Sequence, residues 1–166
     1  LGVLWLHTAR SQGWTIAGLA FPGHFLLRLG AGPCCTILDP FDGGRIHDAA
    51  SLRRMLKSTI GPDAELQPAH YAVVDDRDVL LRLENNVKLR LIREGRLREA
   101  AEVLERMLLF APDRTPLWRE TGLVHARLGN LRRATAALQT FLESTSRPEE
   151  RRQVEQILKD LSGRMN

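Results

Sequence analysis

The sequence predicts an α+β N-terminal part followed by an all-α array of helical repeats. Three observations predict it. Residues 14–38 alternate short β-forming runs with Gly- and Pro-rich turns. From about Asp75 onward the apolar residues recur at helical spacing. The second half also matches itself at a fixed offset, the one that carries Gly95 onto Gly129.

The first part, residues 1–70, reads helix, strand, strand, strand, helix. Leu1, Leu4, Trp5, Thr8 and Ala9 suggest one face of an opening helix, which Gly13 ends as a left-handed cap. Trp14-Thr15-Ile16-Ala17-Gly18-Leu19-Ala20-Phe21 follows as a strand, and Pro22-Gly23 as a turn. His24–Leu29 reads as a second strand, Gly30-Ala31-Gly32-Pro33 as a hairpin connection, and Cys34–Leu38 as a third strand. Asp39-Pro40-Phe41-Asp42-Gly43-Gly44 is a turn in which Asp side chains bond local backbone; it has no later acidic residue at the spacing calcium needs. A helix from about Asp48 to Lys57 buries Leu52, Met55 and Leu56, and Gly61-Pro62 closes the part.

The second part, residues 75–166, is helical throughout. Asp75 or Asp76 caps a helix carrying Val79, Leu80, Leu83, Val87, Leu91 and Ile92. The offset aligns eight identical pairs: Leu89/Leu123, Arg93/Arg127, Gly95/Gly129, Leu97/Leu131, Arg98/Arg132, Ala100/Ala134, Leu104/Leu138 and Leu108/Leu142. That period is the period of a tetratricopeptide repeat. The glycines fall where a helix must turn, the alanines where two helices cross closely, and the leucines between helices. Ser146-Arg147-Pro148-Glu149 reads as a capping box opening a last helix with Val154, Ile157, Leu158 and Leu161, which closes the array.

Composition narrows the function. The chain has 166 residues, 43% hydrophobic and 27% charged, and no apolar run near the ~18 residues that span a bilayer. Its net charge is +4, but residues 1–74 hold 6 bases and 5 acids and residues 75–166 hold 18 and 15, so no basic stripe points to nucleic acid. Cys34 and Cys35 are adjacent, a poor spacing for an internal disulfide, and are expected as small buried hydrophobes in a reducing cytosol. Trp5, Trp14 and Trp118 are expected in the core or at a domain interface. His7, His47, His70 and His125 have no ligand spacing, so neither a metal nor another cofactor is expected. The start carries no basic leader and no Met; a helix already in stride at Leu1 suggests that upstream sequence has been lost.

The chemistry-bearing pair is His24 and Asp39, fifteen residues apart. A His entering one strand and an Asp leaving its antiparallel neighbour can lie side by side. A carboxylate on one imidazole nitrogen fixes the tautomer and leaves the other nitrogen as a base. Such a base commonly serves a thiol at a helix start, where the helix dipole lowers the thiol pKa. Cys34 and Cys35 follow the His and lie on the strand leading to Asp39, so neither fills that position. The pair therefore reads either as a bond holding two strands or as a base and its orienter.

The run from Leu4 through Gly13, then Phe21-Pro22-Gly23-His24-Phe25-Leu26, then Asp39-Pro40-Phe41-Asp42-Gly43-Gly44, resembles the SirB family. Leu104–Pro112 and Arg119-Glu120-Thr121-Gly122-Leu123 resemble that family's repeat region. Members are bacterial proteins with a transglutaminase-like domain of papain-like fold joined to tetratricopeptide repeats, described as regulators of sirC expression. The resemblance covers nearly all of the chain. It implies that His24 and Asp39 correspond to the His and Asp of a Cys-His-Asp triad whose Cys position falls before Leu1, and that residues 1–70 are the C-terminal portion of that domain. Members often lack that Cys.

Two functions follow. One is a regulatory protein that binds a protein or peptide partner, with the repeats as the binding surface and an inactive transglutaminase-like domain. There the recurring arginines, Arg93 and Arg127 among them, form either a solvated face or a basic groove for an acidic peptide. The other is a thiol acyl-transfer enzyme (transglutaminase, amidase or peptidase) whose nucleophilic Cys lies upstream of Leu1. A cytoplasmic location, with no membrane and no nucleic-acid partner, is expected for both.

Overall fold

The computed structural model describes residues 1–165. The chain opens with α1 (Gly2–Ser11), followed by β1 (Ile16–Leu19), β2 (Leu26–Leu29), β3 (Thr36–Asp39), β4 (Arg45–His47), α2 (Ala49–Ile60) and β5 (Val73–Val74). The strands form one antiparallel sheet in the order β4-β3-β2-β1-β5. Then come α3 (Asp76–Arg93), α4 (Leu97–Phe110), α5 (Thr115–Arg127), α6 (Leu131–Ser144) and α7 (Pro148–Met165). These elements divide into two compact units, Leu1–Val79 and Leu80–Asn166.

In the first unit the two-residue period of a strand sorts apolar side chains to opposite faces of the sheet. Ile16, Leu27 and Leu38 pack with Leu6 and Ala9 of α1. Leu19 and Leu26 pack with Leu52 and Leu56 of α2. Each fully buried leucine contributes about 1.5–3 kcal/mol relative to exposure. Asp48 caps α2, its carboxylate accepting the Ser51 N–H at 2.7 Å.

α1 packs Ala9 and, in part, Trp5 of the expected face, but not Leu1, Leu4 or Thr8. Gly2, Leu6 and Ala9 are buried, whereas Leu1 and Leu4 are 60% and 64% exposed. The cause is the Phe25 ring: a β-carbon on Gly2 would sit 2.3 Å from Phe25 Cε1. The helix therefore approaches the sheet along the line that begins at the residue with no side chain.

Two further departures concern cysteine and tryptophan. Residues Gly32–Cys34 form a single 3₁₀ turn, so β3 starts only at Thr36 and Cys34 and Cys35 are both exposed, free thiols. Trp14, just past the end of α1, is 60% exposed, while Trp5 packs partly into the core of the first unit. The strands β4 and β5 have no counterpart in the sequence reading.

The second unit repeats down to its hydrogen bonds. In the first repeat the Arg96 N–H donates to Leu91 O and the Gly95 N–H to Ile92 O. At the equivalent positions of the second, the Asn130 N–H donates to His125 O and the Gly129 N–H to Ala126 O. Gly95 and Gly129 have φ of +73° and +75°, which is why both turns use glycine. Ala100, Ala134, Leu104 and Leu138 are fully buried. α7 closes the array by packing Val154 and Leu161 against Phe141 and Leu138 of α6. One buried charge stands out: Lys88 on α3 is 2% exposed and donates to the Glu120 carboxylate on α5.

Candidate functional site

His24 reaches its position through a turn and a pairing register. Gly23 has φ of +68° and packs against Thr59 of α2, so the chain turns sharply before His24. β2 then pairs antiparallel with β3, with Leu27 opposite Leu38, which sets the residues before β2 beside the end of β3. Asp39 is the last residue of β3. His24 Nε2 lies 2.6 Å from Asp39 Oδ2.

Asp39 is 3% exposed and fully bonded. Its other oxygen, Oδ1, accepts the Phe41 N–H at 2.8 Å and the Asp42 N–H at 3.3 Å. Burial is the largest single influence on this carboxyl and pushes its pKa up. The Phe41 N–H, the His24 bond and charge, and the Asp42 N–H together outweigh it and hold the carboxyl below the usual carboxylate range. The Gly44 N–H closes the loop onto Asp39 O at 2.9 Å. An ionised Asp39 selects the tautomer of His24 with the proton on Nε2 and leaves Nδ1 as the basic nitrogen. The His24 side chain is 36% exposed, open enough to meet a reactant.

Arg93 and Arg127 are exposed and lie in the last turns of α3 and α5, where positive charge complements the helix dipole. Neither lines a cleft described in the second unit. Arg119 and Arg147 line one such cleft, and Arg98, Arg132 and Arg133 line another, of about 590 Å³, bounded by α4, the end of α5 and the start of α6. His125, 3% exposed, forms part of that lining. It contacts Glu105 Oε1 through Nε2 at 3.2 Å and Asn130 Nδ2 through Nδ1 at 3.3 Å. In the sequence His125 reads as one scattered histidine. The signal available there is the Arg98/Arg132 pair of the repeat.

Among the described residues, no group of three or more His, Cys, Asp or Glu side chains gathers as a metal site would, and no helix is long and apolar enough to cross a membrane.

The sheet with its His–Asp pair, followed by paired helices turning on Gly95 and Gly129, defines a class. The chain belongs to the transglutaminase-like superfamily: the sequence model of that superfamily matches residues 1–85, and a tetratricopeptide repeat model matches residues 87–159. Among relatives, it is 31% identical over 146 residues to a UPF0162 protein of Xylella fastidiosa (strain Temecula1 / ATCC 700964), covering 86% of this chain and 52% of that protein. It is 29% identical over 145 residues to Protein SirB1 of Salmonella typhimurium, covering 86% of this chain and 53% of that one. A UPF0162 protein of Vibrio cholerae serotype O1 is 32% identical over 144 residues, with 86% and 53% covered. The resemblance to the SirB family thus extends through both parts of the chain, and the chain spans about half the length of the curated relatives it matches.

Proposed function

We propose that this chain is a regulatory protein-interaction module. Its tetratricopeptide repeats bind a protein partner, and its transglutaminase-like unit acts as a non-catalytic platform. The observation that supports this reading is the array of paired helices, matched by a tetratricopeptide repeat model over residues 87–159 and closed by α7. Cys34 and Cys35 both precede β3, and Asp39 ends it. At about 3.3 Å of rise per residue, Cys35 is about 13 Å along the strand from the residue that holds His24. Neither Cys34 nor Cys35 can therefore pass its proton to His24.

The second reading, a thiol acyl-transfer enzyme, is favoured by the 2.6 Å contact between His24 and Asp39. It needs a thiol supplied by residues preceding Leu1. The test is incorporation of a fluorescent primary amine into a Gln-containing peptide, with His24→Ala as the control. Incorporation by the parent protein no greater than by His24→Ala supports the platform reading. Incorporation lost in His24→Ala at unchanged Tm overturns it in favour of the enzyme.

A further inference from the structure

We propose that the cleft bounded by α4, α5 and α6 is a binding site for an acidic peptide segment carrying an aliphatic side chain between carboxylates. This assignment rests on the interaction reading above and gives that reading a location and a ligand chemistry. The site is built from both repeats. Arg98 and Arg132 are the second residues of α4 and α6 and occupy equivalent positions in successive repeats, yet both border the same cleft of about 590 Å³.

Their charge is available. The third arginine, Arg133, is engaged by Glu105 at 2.9 Å, and the same Glu105 oxygen meets His125. Among the described residues, Arg98 and Arg132 make no ion pair. The one remaining acid of the lining is Glu102, so the unpaired charge of the cleft is net positive. The lining also carries the apolar side chains of Ala101, Leu128 and Leu131. Two unpaired cations and apolar side chains lining one cleft match a segment with carboxylates and an aliphatic residue, and they oppose a basic peptide.

The arrangement differs from a groove built on Arg93 and Arg127, which do not line this cleft. That difference is the experiment. The probes are two fluorescein-labelled hexapeptides, Glu-Leu-Glu-Glu-Leu-Glu and Lys-Leu-Lys-Lys-Leu-Lys, with binding read by fluorescence anisotropy. The acidic peptide is expected to bind, to weaken with added salt, and to lose about tenfold in affinity in Arg98→Glu/Arg132→Glu. Arg98→Gln/Arg132→Gln should lose affinity in the same direction, which keeps the test intact if the charge-reversed protein fails to fold. Arg93→Glu/Arg127→Glu should bind within about twofold of the parent, since a surface charge outside the contact contributes little.

Equal binding of the two peptides, or acidic-peptide binding unchanged in both Arg98/Arg132 variants, overturns the cleft assignment. Loss confined to Arg93→Glu/Arg127→Glu also overturns it and leaves the interaction reading standing. Tighter binding of a single-stranded oligonucleotide than of the acidic peptide overturns it in favour of a nucleic-acid site. Failure of the platform reading shows separately, as His24-dependent amine incorporation.

Discussion

Gly122 on α5 faces Leu138 on α6 so closely that a β-carbon at Gly122 would lie 2.5 Å from Leu138 Cγ and 3.2 Å from Ala134 O. The two helices of the second repeat therefore meet backbone against side chain. Gly122→Ala should destabilise the second unit by about 1–3 kcal/mol, the usual cost of overpacking a filled core. Leu138→Ala in the same chain should recover part of that loss, because it clears the space the new methyl needs. Urea unfolding of both single variants and the double variant measures the coupling. Strict additivity would rule out direct contact as the cause.

The first repeat answers the same position differently. Lys88 is the equivalent of Gly122 there and is buried, its ammonium donating to Glu120. A buried ammonium that loses its partner is costlier than its replacement by an apolar side chain of similar length. Glu120→Ala should therefore lower stability by about 1–3 kcal/mol, and Lys88→Met by less. Chemical denaturation of the two variants decides the order. A larger loss for Lys88→Met would show that the pair itself, and not the stranded charge, sets the energy.

Asp39 makes the first unit sensitive to acid. Its carboxyl is held below the usual range in the folded chain. Folding therefore favours the ionised form. The stabilisation is complete above the unfolded carboxyl's pKa of about 3.9 and is lost as pH falls through the lower, folded value. Asp39→Asn should flatten that part of the profile. It should also cost about 1.5–3 kcal/mol near neutral pH, because the bonds to His24, Phe41 and Asp42 lose their charge. Unfolding free energies at pH 7 and pH 3 for parent and variant test both statements; equal slopes would reject the first.

Cys34 and Cys35 should react with Ellman's reagent in the native protein. Both are exposed, and neither is paired in a disulfide. Two equivalents are expected to titrate without denaturant, at rates close to those of the urea-unfolded chain. Protection of either thiol by more than about tenfold would mean a cover that the fold does not provide.

The architecture is legible where a pattern has length to declare itself. Two copies of one repeating unit place Gly95, Gly129, Ala100 and Ala134 correctly from spacing alone, because each copy confirms the other. The proximity of His24 and Asp39 is legible as well, since antiparallel pairing brings the start of one strand beside the end of the next. What escapes is short or one-sided. β4 and β5 have three and two residues and sit at the two edges of the sheet, too short to show a period and only half covered. Leu1 and Leu4 mislead because apolar spacing cannot reveal that Phe25 fills the space over Gly2. Cys34 and Cys35 mislead because a 3₁₀ turn displaces the start of the strand. The cleft beside His125 is lined by a His125–Glu105 contact made between helices, and a sequence shows only the Arg98/Arg132 pair of the repeat.

The bonds of Asp39 carry an evolutionary consequence. One oxygen of its carboxylate faces His24, and the other folds the loop that leads into β4. A lineage that abandoned acyl transfer would still be selected to keep this aspartate, for the loop alone. His24 bonds to Asp39 and to no backbone group among the described contacts, so selection on folding holds it less firmly. Retention of the aspartate alone is therefore no sign of acyl-transfer chemistry, because the loop into β4 needs it in any case.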